Sequence, residues 1–263
     1  MGRYFIHLAY NGASYHGWQT QRNASEEERT VSMQPELPTV QLTLEKALST
    51  LLRQPIAVVG CGRTDTGVHA SDFYAHFDAE GGVDCSQLVF KLNNLLPPDI
   101  AIFDIFPVAD NAHARFDATA RTYQYHVSDR RLPFRQGQYC RIYFRPDLER
   151  MNEAARVLME YDDFTSFAKL HTQVKTNICR LSEAHWDTVG DEWVFTIRSN
   201  RFLRNMVRSV TGTLLDVGRG KLSIDGLREI IEKKDRCAAG VSMPACGLFL
   251  TKVEYPSELR INN

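Results

Sequence analysis

The feature that most constrains the fold of this 263-residue chain is the order of two hydrophobic periodicities. Alternation of apolar and polar residues predicts a strand, and apolar residues spaced three and four apart predict a helix. In the first part of the chain, strands are predicted at 3–10, 55–59, 72–78 and 100–108, and helices at 39–52 and 84–95. Thr39 and either Asp84 or Ser86 are the predicted N-caps. The predicted order is β-α-β-β-α-β.

The same order is predicted a second time, with one additional helix before the last strand. Strands are predicted at 119–128, 178–188, 192–199 and 247–255, and helices at 147–159, 202–217 and 223–234. Two copies of this order predict an α+β protein of two ferredoxin-like (RRM-like) halves, each with an antiparallel sheet and helices on one face. We place the halves at 1–108 and 109–263. Two open sheets of this kind can join edge to edge into one mixed, mainly antiparallel sheet.

The composition is typical of a globular protein that works in a reducing compartment. Hydrophobic residues make up 43% of the chain and charged residues 24%. No apolar run approaches the ~20 residues that a membrane-spanning helix needs. The six cysteines are scattered without a C-x-x-C pair, so we interpret them as reduced thiols rather than as disulfides or zinc ligands. We therefore expect a cytoplasmic protein that binds no metal.

The arginines are concentrated in two segments, although the net charge is only −1. Residues 115–145 contain seven arginines and two acids, and residues 198–208 contain four arginines and no acid. Arginine is favoured where phosphate is bound through two hydrogen bonds or where a base is stacked. The alternative is that both segments are ordinary solvated faces. The charges alone leave both interpretations open.

The stretch from Gly62 to His69, with the sequence GRTDTGVH, is the strongest candidate for a site. It places the carboxylate of Asp65 in a predicted turn between two strands, with a glycine on either side, where a ligand can approach the backbone closely. An ionised aspartate can act as a nucleophile without a metal or a general base. The structural alternative is a turn in which Asp65 bonds to its own backbone.

Three further residues are candidates on weaker grounds. A carboxylate covered by a ligand needs a cation, and Arg208 is available on an apolar helix, although a surface arginine would give the same pattern. Tyr123 can stack on a base or belong to the core. His69 has no partner ligand at metal spacing, which favours a structural histidine.

Five separated motifs resemble those of the bacterial tRNA pseudouridine synthase A family over nearly the whole chain. They are Tyr10-Asn11-Gly12 with Tyr15-His16-Gly17-Trp18-Gln19; Thr39-Val40-Gln41; Gly60 to Ala70; Ala114-Arg115-Phe116-Asp117-Ala118 with Arg121-Thr122-Tyr123-Gln124-Tyr125; and Phe202 to Arg208 followed by Gly212, Val217, Gly218 and Gly220.

The resemblance implies an enzyme that isomerises uridine to pseudouridine in the anticodon arm of tRNA, at positions 38–40, without a cofactor. It implies that two ferredoxin-like halves form one sheet with a cleft between them, and that the enzyme is a homodimer. The nucleophilic Asp of the family falls on Asp65, the tyrosine that stacks on the substrate on Tyr123, and the arginine that pairs with the Asp on Arg208. Arg63 is then expected to help flip and hold the target nucleotide, and His69 to contact the substrate.

The chain departs from the family pattern in two places. Gln21 to Pro38 is longer and more acidic than expected, and Ser71-Asp72-Phe73 replaces a small-Gly-Gln run. Three other functions are compatible with the residues considered alone. They are an RNA-binding module without catalysis, a hydrolase that uses Asp65 and His69, and a structural dimerisation domain.

Overall fold

A computed structural model describes residues 1–20, 38–169 and 176–260. The chain divides into two compact units. Unit 1 comprises Met1–Ala118 together with the C-terminal segment from Tyr255, and unit 2 comprises Thr119–Glu254. The boundary in the structure lies beyond the predicted one at 108/109, and the end of the chain returns to the first unit. The lengthened segment Gln21 to Pro38 lies, except for Pro38, outside the described residues.

Unit 1 has the predicted order of elements. They are β1 (Gly2–Tyr10), α1 (Val40–Leu52), β2 (Val58–Gly60), β3 (His69–Ala79), α2 (Cys85–Leu95) and β4 (Ile100–Val108). β1 pairs antiparallel with β3 and β4, and β2 pairs antiparallel with β3, which gives the strand order β4-β1-β3-β2. Both helices begin at a side-chain cap, since Thr39 accepts from the amide of Leu42 at 3.2 Å and Asp84 from that of Gln87 at 2.9 Å.

One face of β1 is buried, with Ile6 and Leu8 both 0% exposed. The opposite face is not left to solvent, because Phe5 is also 0% exposed. The ring of Tyr255 stands edge-on to Phe5 at 5.5 Å, and its hydroxyl donates to the carbonyl of Ala114. Residues from the C-terminal end of the chain therefore complete the core of unit 1.

Unit 2 repeats the arrangement with two additional elements. Its elements are β5 (Ala120–Ser128), β6 (Cys140–Arg141), α3 (Leu148–Leu158), β7 (Leu181–Val189), β8 (Glu192–Ser199), α4 (Met206–Gly218), α5 (Ile224–Lys233) and β9 (Leu248–Glu254). The strand order is β9-β5-β8-β7, with antiparallel pairing. Apart from β6, which pairs parallel with the end of β5, this is the strand order of unit 1. The predicted α+β class is confirmed.

Several predicted boundaries are wrong. α4 begins at Met206 rather than at 202, because Asn205 has a φ of 67° and interrupts the helical backbone. β7 begins at Leu181, and Ile178 forms only an isolated bridge to Asp163. β3 begins at His69, so the motif loop is shorter than predicted. No helix among the described residues is long and apolar enough to cross a membrane.

Candidate active site

Asp65 lies in the loop of residues 61–68 that joins β2 to β3 in unit 1. The amide of Val68 donates to the Asp65 carbonyl at 3.1 Å, which closes a tight turn, and Gly67 takes a φ of 78° that favours glycine. The Asp65 side chain is partly exposed and stands between the exposed residues Arg63 and Thr66. The loop therefore presents the carboxylate and the predicted nucleotide-flipping arginine at the surface of unit 1.

The loop is anchored from beneath through Thr64, which is buried. The hydroxyls of Thr64 and Tyr10 are 2.9 Å apart and share a hydrogen bond. The carbonyl of Thr64 accepts from the amide of Trp18 at 3.2 Å. One residue of the motif is thus fixed in the core while its neighbour Asp65 remains accessible.

Two glycines allow the segment after β1 to pack directly against the backbone of this loop. A Cβ on Gly17, whose φ is 78°, would lie 2.3 Å from the carbonyl oxygen of Thr64. A Cβ on Gly12 would lie 2.0 Å from the carbonyl oxygen of Val68. Both distances are far below van der Waals contact, so neither position has space for a side chain. The first and third sequence motifs are therefore two parts of one packed structure.

His69, predicted to contact substrate, is only 1% exposed at the start of β3. Its Nδ1 accepts a hydrogen bond from the amide of Gly12 at 3.1 Å. The histidine therefore joins the segment after β1 to the end of the Asp65 loop. The burial and this bond are compatible with the structural role that the sequence pattern favoured.

The second departure from the family pattern lies within β3. Asp72 is 2.7 Å from Nε2 of His7, and Phe73 is fully buried. The His7 ring also stacks on Tyr74 at 4.4 Å with an angle of 2° between the planes. Asp72 thus belongs to a polar and aromatic cluster on the sheet of unit 1.

Tyr123 lies in the middle of β5 in unit 2, opposite Ile197 of β8 and Leu250 of β9. Its side chain is half-buried, and the ring stands edge-on to Phe202 at 5.1 Å and 88°. The tyrosine is thus held in the sheet with part of its surface open. That position is compatible with stacking on a base as well as with a role in the core.

Arg208 is held by backbone groups at the beginning of α4. Its Nε donates to the carbonyl of Met243 at 2.6 Å, and the amide of Met243 donates to the Arg208 carbonyl at 3.1 Å. The side chain is half-buried on a helix whose residues are almost all buried. These contacts do not fit a surface arginine that merely extends into solvent.

The segment 240–243, which fixes Arg208, was not identified from the sequence. A Cβ on Gly212 of α4 would lie 2.0 Å from the carbonyl oxygen of Val241, and the amide of Gly240 donates to Thr213 at 3.0 Å. Gly240 and Gly212 were the only signals, and nothing in their spacing linked them. Pro244, the residue after this segment, is also held. Its carbonyl accepts a hydrogen bond at 2.6 Å from the hydroxyl of Tyr125, and burial raises the pKa of that hydroxyl and keeps it neutral.

Comparison with known proteins identifies the class. A family model described as tRNA pseudouridine synthase matches residues 154–256.

Among the described residues, no group of three or more His, Cys, Asp or Glu side chains is placed to hold a metal ion.

Curated relatives extend the match to almost the whole chain. A tRNA pseudouridine synthase A of Bacteroides thetaiotaomicron is 55% identical, over 98% of this chain and 93% of the relative. Those of Parabacteroides distasonis and Porphyromonas gingivalis are 54% and 52% identical, over 98% of this chain and 98% and 99% of the relatives. The chain therefore belongs to the tRNA pseudouridine synthase A family.

Proposed function

We propose that this protein isomerises uridine to pseudouridine in the anticodon arm of tRNA, with Asp65 as the nucleophile. The observation that carries the proposal is the Asp65 loop, in which a partly exposed carboxylate is held on a backbone fixed by buried contacts. Catalysis depends on such fixed placement, because a small displacement of a reacting group costs a large part of the rate.

The reaction requires no external reactant. The C1′–N1 glycosidic bond breaks, the base turns, and a C1′–C5 bond forms. C5 then loses its proton and N1 gains one, so the atoms balance. A carboxylate can assist by attacking the base, by attacking the sugar, or by accepting a proton from the sugar, and Asp65 is suited to each of these roles.

The remaining residues are assigned supporting roles. Arg208 is the cation that compensates the Asp65 carboxylate when RNA excludes water, because an unpaired buried carboxylate is costly. Tyr123 supports the extruded base by stacking, and Arg63 holds the flipped nucleotide. Because His69 is almost fully buried, we assign it to holding Gly12 against the loop.

We further propose that the two units are ferredoxin-like halves of one catalytic domain, acting as a homodimer in the cytoplasm. The strand order that the two units share supports the first part. The resemblance of the motifs supports the homodimer. The reduced cysteines support a location in the cytoplasm.

The experiment is to incubate the protein with unmodified tRNA transcripts and to map pseudouridine by carbodiimide-dependent stops of reverse transcription. We expect new stops at positions 38–40 and an unchanged RNA mass. Binding without new stops would favour an RNA-binding module, and release of a free base would indicate a hydrolase. Stops at other uridines would overturn the assignment to the anticodon arm.

A further inference from the structure

The segment that joins β5 to α3 in unit 2 is unusually basic and aromatic. Between Asp129 and Asp147 the sequence contains five arginines and no acidic residue. Two aromatic side chains of this segment are almost fully exposed, Phe134 at 99% and Tyr143 at 84%. Apolar rings at such exposure contribute little to the fold, so their presence requires another explanation. We call residues 130–145 the Arg–aromatic loop.

The loop is ordered by its own hydrogen bonds. β6 pairs with the end of β5, and the amide of Ile142 donates to the carbonyl of Ser128 at 2.9 Å. The hydroxyl of Tyr139 accepts from the amide of Leu132 at 2.9 Å and donates to the carbonyl of Arg130 at 3.3 Å. The exposed rings are therefore presented by a fixed backbone.

A partly buried network of polar contacts around Glu192 also holds the loop. Nε of Arg135 lies 3.1 Å from Oε1 of Glu192, and Nδ1 of His126 lies 2.8 Å from Oε2 of the same carboxylate. The Glu192 side chain is only 13% exposed. Arg135 thus anchors the short helical turn on which the neighbouring Phe134 points outward.

Of the four remaining arginines, three are available for a ligand. Arg130 pairs with Asp191. Arg131, Arg141 and Arg145 are exposed, and no carboxylate of the described residues forms an ion pair with them. The guanidinium of Arg141 lies 5.0 Å from the centre of the Tyr143 ring, so a cation and an aromatic face are presented together.

We propose that the Arg–aromatic loop of unit 2 is an RNA-contact surface, additional to the Asp65 loop of unit 1, that binds unpaired nucleotides of the tRNA. Phe134 and Tyr143 stack on bases, and Arg131, Arg141 and Arg145 bind phosphates. Cationic side chains interleaved with exposed rings suit single-stranded nucleic acid, which has both phosphates and open base faces. The inference rests on the proposed function, because it takes tRNA as the substrate.

The test compares the double variant Phe134→Ala/Tyr143→Ala with the wild-type protein. Kd for an unmodified tRNA transcript, kcat, KM and the oligomeric state by light scattering are measured. We expect Kd and KM to rise about tenfold or more, with kcat and the oligomeric state unchanged. In Arg131→Gln/Arg141→Gln, the slope of log Kd against log salt should fall by about one for each phosphate that is no longer bound. Phe90→Ala, at a ring 71% exposed on α2, is the matched control and should change none of these.

Two results would overturn this inference. One is an unchanged Kd in the double variant. The other is dissociation of an oligomer, which would make the loop a contact between copies of the chain. Because wild-type turnover is measured in the same assay, failure of the loop variants leaves the proposed function standing. A wild-type protein that makes no pseudouridine would instead refute the proposed function.

Discussion

At the scale of single residues, the placement of the Asp65 carboxylate depends on backbone contacts that admit no side chain. Gly17 and Gly81 both have a positive φ, 78° and 76°. A Cβ on Gly17 would collide with the carbonyl oxygen of Thr64, whereas nothing lies within 4 Å of a Cβ on Gly81. Substitutions at these two glycines therefore separate two free-energy costs. One is the cost of placing a side chain at a positive φ, and the other is the cost of the overlap with Thr64.

We expect Gly17→Ala to lower the free energy of unfolding by roughly 2–4 kcal/mol and to reduce kcat, because the Asp65 loop must move. Gly81→Ala should cost only about 1 kcal/mol and leave kcat unchanged. Urea unfolding and steady-state kinetics on tRNA measure both. Equal effects of the two substitutions would contradict the account of the loop.

His76 gives unit 1 a dependence on pH. Burial lowers the pKa of His76 to about 4, and its Nδ1 accepts from the amide of Ala114 at 3.1 Å. The folded state thus disfavours the charged form, so stability is complete above the unfolded pKa of about 6.5 and declines as pH falls towards 4. Between pH 7 and pH 5 we expect the wild type to lose about 1–2 kcal/mol more than His76→Gln. Urea unfolding at the two pH values measures this. If the wild type and His76→Gln lost the same free energy of unfolding, the account of His76 would be refuted.

The residues of the site differed in how far the sequence could predict them. The Asp65 turn was predictable because the glycines and the flanking strands are local signals. The holding of Arg208 by Met243 was not, because 35 positions separate the two residues and no sequence pattern records a contact between a side chain and a distant carbonyl. The sequence favoured a structural role for His69 but could not identify its partner Gly12, which lies 57 positions away.

At the scale of elements, α4 and the segment 240–243 form the support of Arg208. Alanine normally favours a helix over glycine by up to about 1 kcal/mol. At Gly212 the new Cβ would overlap the carbonyl of Val241 and displace the segment that binds Arg208.

We expect Gly212→Ala to destabilise the protein by roughly 1–3 kcal/mol and to lower kcat. Gly226→Ala in α5 is the matched helical control, since its Cβ would meet chiefly the mobile end of the Leu222 side chain, and it should be nearly neutral. Thermal unfolding and tRNA turnover distinguish them. A stabilised and fully active Gly212→Ala variant would contradict the proposed support.

Element order was predictable and element boundaries were not. Periodicity identified all five helices and every longer strand in the described residues, because their apolar residues recur at helical or strand spacing in the sequence. β6 contains only two residues and carries no periodicity. The start of α4 was missed because the left-handed Asn205 lies inside a stretch whose apolar spacing still looks helical.

At the scale of the whole molecule, unit 1 is built from both ends of the chain. Tyr255 packs edge-on against Phe5 and Tyr74, and Arg260 pairs with Asp104 at 2.7 Å. The sequence prediction assigned this segment to the second half, since element order does not reveal a return of the chain.

We expect Tyr255→Ala to destabilise unit 1 selectively, by roughly 2–4 kcal/mol, because the loss of a packed ring leaves a cavity. Tyr255→Phe should lose only the bond to Ala114, about 1 kcal/mol. Hydrogen exchange measures this directly, as amides of β1 and β3 should lose protection in Tyr255→Ala while those of β7 and β8 keep it. Equal loss in both units would argue against the observed division of the chain.

The central claim is that one carboxylate on the Asp65 loop carries the chemistry. The most direct measurement is pseudouridine formation in tRNA by Asp65→Asn, beside Asp110→Asn, which makes the same change at an exposed turn after β4. The account predicts a fall in kcat of at least about a thousandfold for Asp65→Asn, with Kd for tRNA nearly unchanged, and wild-type turnover for Asp110→Asn. Substantial turnover by Asp65→Asn would contradict it.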